Sequence, residues 1–283
     1  MAERSKVTLP QLLEMKRQGQ KITMITVYDY PMAVLVDRAG IDIVLVGDSL
    51  GMTVLGYKTT LPVTMEDMIT HARAVTTGCK NGFVLGDMPY MSYQPSVEVA
   101  VRNAGRFMSE AGCDGVKLEG GVDMADRVEA IVKAGIPVMG HLGLTPQSMT
   151  MLGGFKVQGK DALMARKIMD DAKALEEAGA FSILLEAVPA KVGQLITQRA
   201  DVPIISLGAG PDCDGVLVIF HDIFGLYPDF TPKFAKRYAE AGKLIQEGLT
   251  EYAEEVRSGE FPAREHWFTM PKAEYQELLK MIE

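Results

Sequence analysis

Five short apolar runs in this 283-residue chain end on an ionisable residue, and no other feature restricts its possible folds as strongly. Ile43-Val-Leu-Val-Gly-Asp48, Phe83-Val-Leu-Gly-Asp87, Gly115-Val-Lys-Leu-Glu119 and Phe181-Ser-Ile-Leu-Leu-Glu186 end on acids, and Ile136-Pro-Val-Met-Gly-His141 ends on a histidine. None shows a helical period. Continuous apolar runs bounded by turn residues read as parallel strands buried on both faces. The joint between helix and strand also repeats, at Ala39-Gly40, Ala111-Gly112, Ala134-Gly135 and Ala178-Gly179. Glycine suits the left-handed position just past a helix. The small alanine lets the helix end pack close to a sheet. Such a joint, repeated at this pace, means βα units and a parallel sheet.

Eight strands are expected: Thr23–Val27, Ile43–Gly47, Phe83–Gly86, Gly115–Glu119, Pro137–Gly140, Ser182–Glu186, Ile204–Leu207 and Val216–Phe220. Eight strands with helices between them make a closed α/β barrel, a (β/α)8 or TIM barrel, the leading architecture. A doubly wound open sheet would want a glycine-rich dinucleotide fingerprint after the first strand, and none is present. A single barrel domain over residues 1–283 is expected, with an N-terminal helix from Thr8 to Lys16 and a helical C-terminal extension. Tyr30–Ala39, Phe234–Val256 and Lys272–Ile282 read as helices, and His221–Phe230 as an irregular aromatic stretch. Met52–Thr64 and Leu142–Lys160 are long, glycine-bearing connections and candidate lids.

Composition narrows the partners. A net charge of −8 without a Lys/Arg cluster argues against nonspecific nucleic-acid binding. Cys79, Cys113 and Cys213 are odd in number and form no CxxC, which argues against a disulfide framework or zinc site and fits the cytoplasm. The first residues lack an apolar signal-peptide core, and no apolar run reaches the ~18 residues of a membrane span.

The chemistry of a (β/α)8 barrel sits at the C-terminal ends of its strands, so the ionisable tips are expected to share one site. Carboxylates from Asp48, Asp87 and Glu119 would repel one another unless protons or a cation lay between them. An all-oxygen set suits a hard ion such as Mg²⁺; the competing role for Asp48 is a helix cap. Lys117 and Glu119 lie two apart and face the same side of one strand. A buried lysine needs an anionic partner, either Glu119 or a substrate carboxylate. His141 is a candidate donor or proton carrier, or a histidine held by a loop carbonyl. Glu186, at the end of an apolar strand, is a candidate general base, or an ion-pair partner of Lys191. His71, His221 and His266 read as structural. The glycine-rich Ser206–Gly215 lies where barrels often bind phosphate, but it is no P-loop.

Several stretches together closely resemble the ketopantoate hydroxymethyltransferase family. They are Val46-Gly-Asp-Ser-Leu-Gly-Met52, Gly86-Asp-Met-Pro-Tyr90, Val116-Lys-Leu-Glu-Gly-Gly121, Gly140-His-Leu-Gly-Leu-Thr-Pro-Gln147, Leu152-Gly-Gly-Phe-Lys-Val-Gln-Gly159, Leu185-Glu-Ala-Val-Pro189 and Gly208-Ala-Gly-Pro-Asp-Cys-Asp-Gly-Val-Leu-Val218. The resemblance implies a barrel of the phosphoenolpyruvate/pyruvate superfamily. It also implies transfer of a hydroxymethyl group from 5,10-methylenetetrahydrofolate to 3-methyl-2-oxobutanoate in pantothenate biosynthesis. By that likeness Asp48, Asp87 and Glu119 hold Mg²⁺. Asp48, Ser49, Asp87, Lys117 and His141 bind the oxoacid, Glu186 is the base, and the assembly is a homodecamer. Two alternatives remain open at this point: another Mg-dependent, enolate-forming C–C lyase or mutase on the same barrel, and a noncatalytic binding protein.

Overall fold

A computed structural model describes residues 4–282 except 155 and 228–230. Eight strands, β1 (Ile22–Thr26), β2 (Ile43–Val46), β3 (Phe83–Asp87), β4 (Gly115–Glu119), β5 (Val138–Gly143), β6 (Ser182–Glu186), β7 (Ile204–Leu207) and β8 (Gly215–Ile219), close into a parallel barrel in sequence order. The helices α1 (Leu9–Arg17), α2 (Tyr30–Ala39), α3 (Leu50–Thr53), α4 (Met65–Gly78), α5 (Val97–Ser109), α6 (Ala125–Lys133), α7 (Met149–Leu152), α8 (Ala162–Glu177), α9 (Ala190–Thr197), α10 (Phe220–Ile223), α11 (Ala241–Ser258) and α12 (Lys272–Ile282), with short 3-10 turns at Val122–Met124, Pro146–Ser148 and Arg264–His266, complete the described elements.

Local signals explain where these elements start and stop. Asp29 caps α2 by accepting from the Met32 amide at 2.8 Å, and Gly40, with φ of 81°, ends it. Thr64 and Asp67 form a reciprocal capping box at the start of α4.

Side-chain alternation then sorts the strands into two packed layers. Val44, Val46, Val84, Val116, Leu118, Ile183 and Leu185 point outward into a core shared with the helices. Ile22, Met24, Ile43, Leu45, Phe83, Leu85, Met139, Leu184 and Leu217 fill the barrel interior, together with Leu12 of α1. Burying each such side chain is worth roughly 1.5–3 kcal/mol. Ion pairs of Lys6 with Asp114 and of Lys16 with Asp214, both acids just before a strand, tie the N-terminal segment to that end of the barrel. The interior columns Phe83-Leu85-Asp87 and Met139-His141 run from apolar at that end to ionisable at the other. The fold therefore concentrates polar groups at the C-terminal mouth.

One helix begins later than its sequence pattern implies. The stretch from Phe234 to Glu240 is not helical, and α11 starts at Ala241. The Tyr238 amide donates to the Ile223 carbonyl at 2.8 Å and the Ala241 amide to the Phe224 carbonyl at 2.9 Å. Those donors satisfy the end of α10 and so are not free for a helical ladder. The stretch 221–230, read as irregular and aromatic, opens inside α10, and its positions 228–230 lie outside the described residues. No residue of α11 or α12 is buried, and Leu244, Ile245, Leu249 and Tyr252 are exposed along α11. Among the described residues, no helix is long and apolar enough to cross a membrane.

Candidate active site

The barrel mouth holds a cavity of about 340 Å³ whose walls include Asp48, Ser49, Asp87, Lys117, Glu119, His141 and Glu186. All seven site residues expected from the sequence therefore face one space. Parallel register explains the neighbours: Asp87 pairs with Lys117 across β3 and β4, and Glu119 with His141 across β4 and β5.

Backbone geometry fixes the rim. A Cβ on Gly47 would sit 2.9 Å from Ser49 Oγ and 3.1 Å from Thr26 Cγ2, so the turn into Asp48 has no room for a side chain. Gly143 has φ of 92°, and a Cβ there would collide with the Glu186 carbonyl. Ala187, next to Glu186, is itself left-handed at φ of 47°. A non-glycine residue in that region stores strain of the kind that clusters at functional sites.

The polar contacts form a chain. Lys117 Nζ is 2.7 Å from Asp87 Oδ1 and 3.3 Å from His141 Nδ1. Asp87 Oδ2 accepts from the Asp48 amide at 3.1 Å. His141 Nε2 lies 3.1 Å from Glu186 Oε2, close but not aligned as a hydrogen bond. Such contacts commonly tighten only when substrate is bound. Burial and the Lys117 charge hold the His141 pKa below its usual value. A neutral ring accepting from Lys117 at Nδ1 presents Nε2–H toward Glu186. The 3.4 Å approach of Nδ1 to Glu119 Oε1 is then a contact between two acceptors whenever Glu119 is ionised.

Charge is unbalanced here. Burial, followed by the Asp87 and Glu119 charges, pushes the Asp48 carboxyl well above its usual range. Burial also raises Asp87, with Lys117 opposing it. Burial takes Glu119 up to about 7 against the pull of Lys117 and the Gln147 amide. For Lys117 the order reverses: burial disfavours its charge, but Asp87, Glu119 and Asp48 outweigh that and raise its pKa. One ammonium thus faces three carboxylates. Among the described residues, no three His, Cys, Asp or Glu side chains close tightly enough to hold an ion unaided.

The contacts decide among the alternatives that the sequence left open. The partner of Lys117 is Asp87, on the neighbouring strand, not Glu119 two residues along its own. His141 is held by side chains, not by a loop carbonyl, and β5 runs past it to Gly143. Asp48 caps no helix; its Oδ2 accepts from Gln147 Nε2 at 2.9 Å. Lys191 bonds to Gln194, leaving Glu186 to His141. His71 donates to the Tyr28 carbonyl at 2.6 Å and His266 sits by the Ala263 amide, as structural histidines do.

Sequence reasoning missed Gln147, Tyr93 and Tyr28. The buried Gln147 amide donates to Asp48 and to the Met88 carbonyl (3.0 Å) and accepts from Tyr93 Oη (2.8 Å) and Gln94 (3.0 Å). Its backbone amide donates to Glu119 Oε2 at 3.0 Å. One residue from the Leu142–Lys160 connection thus orients two of the three acids. Tyr28 Oη and Ser49 Oγ bond at 2.8 Å. Gln147→Leu takes the side-chain donor from the buried Asp48 carboxyl and the Met88 carbonyl, while Tyr93 keeps its bonds to the Glu119 backbone, and the expected loss is about 1–3 kcal/mol of unfolding free energy. Urea denaturation measures it, and an unchanged midpoint and slope would contradict this role for Gln147.

Comparison with known proteins places the chain. The sequence profile described as ketopantoate hydroxymethyltransferase matches residues 6–264. The 3-methyl-2-oxobutanoate hydroxymethyltransferase of Moorella thermoacetica is 55% identical over 95% of this chain and 100% of its own length. That of Carboxydothermus hydrogenoformans is 54% identical over 94% and 96%. Among solved structures, phosphonopyruvate hydrolase in complex with oxalate and Mg++ aligns with a TM-score of 0.61 at 13% identity, covering 98% of this chain and 97% of that one. A 2,3-dimethylmalate lyase of the PEP mutase/isocitrate lyase superfamily aligns at 0.57 and 16%, covering 97% and 99%. At those identities the structural likeness speaks for the barrel alone.

Proposed function

The chain belongs to the ketopantoate hydroxymethyltransferase family, and from that premise we propose that its barrel mouth binds 3-methyl-2-oxobutanoate with a divalent cation and adds a one-carbon unit from 5,10-methylenetetrahydrofolate. It is an enzyme, a hydroxymethyltransferase of pantothenate synthesis. Water supplies the hydroxyl oxygen, and 2-dehydropantoate and tetrahydrofolate leave. The observation that carries the reading is the meeting of Glu186, Lys117 and three mutually repelling carboxylates around one cavity.

The donor set fits Mg²⁺. Asp48, Asp87 and Glu119 offer only oxygen, and burial first, with repulsion among the acids, raises their proton affinities, a cost that a bound cation would relieve. The absence of a closed three-ligand cluster suits an ion that takes few protein ligands and completes its shell with water and substrate oxygens. When bound, the ion supplies Lewis-acid polarisation of the oxoacid's keto group.

The chain's own residues do the rest. The Lys117 ammonium has three donors; His141 takes one and Asp87 faces it as an ion pair, which leaves donor capacity for the oxoacid carboxylate. Ser49, held by Tyr28, offers its hydroxyl to the same ligand. Glu186 removes the C3 proton, and His141 Nε2 faces the carboxylate that receives it. Leu45, Leu184 and Leu207 wall the cavity and limit water. Turnover is expected to stop in excess chelator and return with Mg²⁺, followed as 2-dehydropantoate formed. Activity that survives complete chelation would contradict the metal assignment.

We also infer that residues 1–283 act as one barrel unit within a cytoplasmic homo-oligomer, a homodecamer by family likeness. The exposed apolar side chains of α11 and α12 support assembly, since stripes of this kind mark contact surfaces, and the three free thiols are in keeping with a reducing compartment. Light scattering is expected to give ten chain masses; a monomer at working concentration would contradict assembly.

A further inference from the structure

The cavity has a second half that the oxoacid chemistry does not use. Its charged half lies on β2 to β6. Opposite, Leu217 and Ile219 of β8 and the following Tyr227, Pro232 and Phe234 form an apolar wall. Phe234 packs on the backbone at Gly208, where a Cβ would fall 2.7 Å from its ring, and remains 37% exposed while lining the cavity. Within this wall stands one acid, Asp222. It is 5% exposed, it lines the cavity, and among the described residues its carboxylate has no hydrogen-bond or ion-pair partner. Burial pushes its pKa up to about 6, with only the Arg237 charge opposing. At the mouth, Lys156 and Lys233 come from two different connections.

A buried carboxylate in an apolar wall needs N–H donors, and an anionic oxoacid brings none. The aminopyrimidinone edge of a reduced pterin brings two, side by side, on a flat ring that suits aromatic contact. The glutamate tail of a folate ends in carboxylates, which suit the two lysines at the mouth. We propose that Asp222 receives the pterin ring of the folate co-substrate by accepting its paired N–H donors, with the ring against Phe234 and the tail carboxylates at Lys156 and Lys233. This rests on the folate-dependent transfer proposed above. Strand β8 lies two places from both β6 and β2 in the closed barrel, so a pterin on Asp222 lies two strands from Glu186 and from Asp48.

Calorimetric titration of the Mg²⁺–oxoacid-loaded enzyme tests it with two probes, tetrahydrofolate and tail-less 6-methyltetrahydropterin. Asp222→Asn keeps the shape but sets a donor against a donor. Both probes are expected to bind about ten- to a hundredfold more weakly, the range for hydrogen bonds to a charged group. Lys156→Ala/Lys233→Ala is expected to weaken tetrahydrofolate alone. Folate-free exchange of the oxoacid C3 proton is read in parallel and reports on the underlying transfer reading and on the fold of each variant. Exchange in the wild type with undiminished binding of both probes by Asp222→Asn would overturn the pterin assignment and leave the reaction standing. A wild type that neither exchanges nor binds tetrahydrofolate would overturn both. If Asp222→Asn does not fold, Asp222→Ser is held to the same criterion.

Discussion

Glu186→Gln is expected to cut turnover by about 10²–10⁴-fold, the usual worth of a positioned base, while the oxoacid still binds. The substitution is nearly isosteric, so the rim built by Gly143 and Ala187 is kept. What is lost is the ability to take a proton. The amide can still face His141 Nε2, now 3.1 Å from the carboxylate, so the histidine keeps its place. Steady-state kinetics give the loss, and calorimetry with the oxoacid gives the binding. Turnover within about tenfold of wild type would fall below the range for a general base and move that role elsewhere, with His141 next in line.

Lys117→Met is expected to lower the unfolding free energy of the metal-free protein by about 3–5 kcal/mol, the range for breaking a buried pair. Lys117 and Asp87 are 2% exposed each and 2.7 Å apart. Without the ammonium, Asp87 keeps a buried charge beside Asp48 and Glu119. The folded protein can relieve that by binding a proton, because burial already raises the Asp87 pKa. A folded pKa above the unfolded value means the native state binds more protons, so stability falls as pH rises. The deficit relative to wild type is therefore expected to be larger at neutral pH than under mildly acidic conditions. Denaturation at two pH values measures it; a deficit under about 1 kcal/mol would be that of a surface pair and would contradict a buried one.

The strands were legible because a doubly buried strand writes itself as an apolar run, and their ends proved right to within a few residues. The mouth was legible because period-two alternation turns Asp87, Lys117 and Glu119 inward. Pairing across strands was not. Whether Lys117 meets Glu119 or Asp87 depends on the register between β3 and β4, and nothing local encodes it. Gln147 escaped because a neutral side chain on a loop carries no titration signal. It stood inside a recognised stretch, Gly140–Gln147, and its role appears only once the loop folds back over Asp48 and Glu119. The late start of α11 escaped for a similar reason, since Tyr238 and Ala241 give their amides to the distant carbonyls of Ile223 and Phe224. Asp222 was hidden in a stretch read only as irregular.

Proton exchange at C3 of 3-methyl-2-oxobutanoate, followed by NMR in D₂O with Mg²⁺ and no folate, tests the central claim most directly. In the proposed reaction the base, the lysine and the acids all act before the one-carbon donor is needed. The wild-type protein is therefore expected to exchange that proton, and to stop when the cation is chelated. A wild type that binds the oxoacid and Mg²⁺ yet leaves the C3 proton in place would contradict proton removal by Glu186 as the opening step.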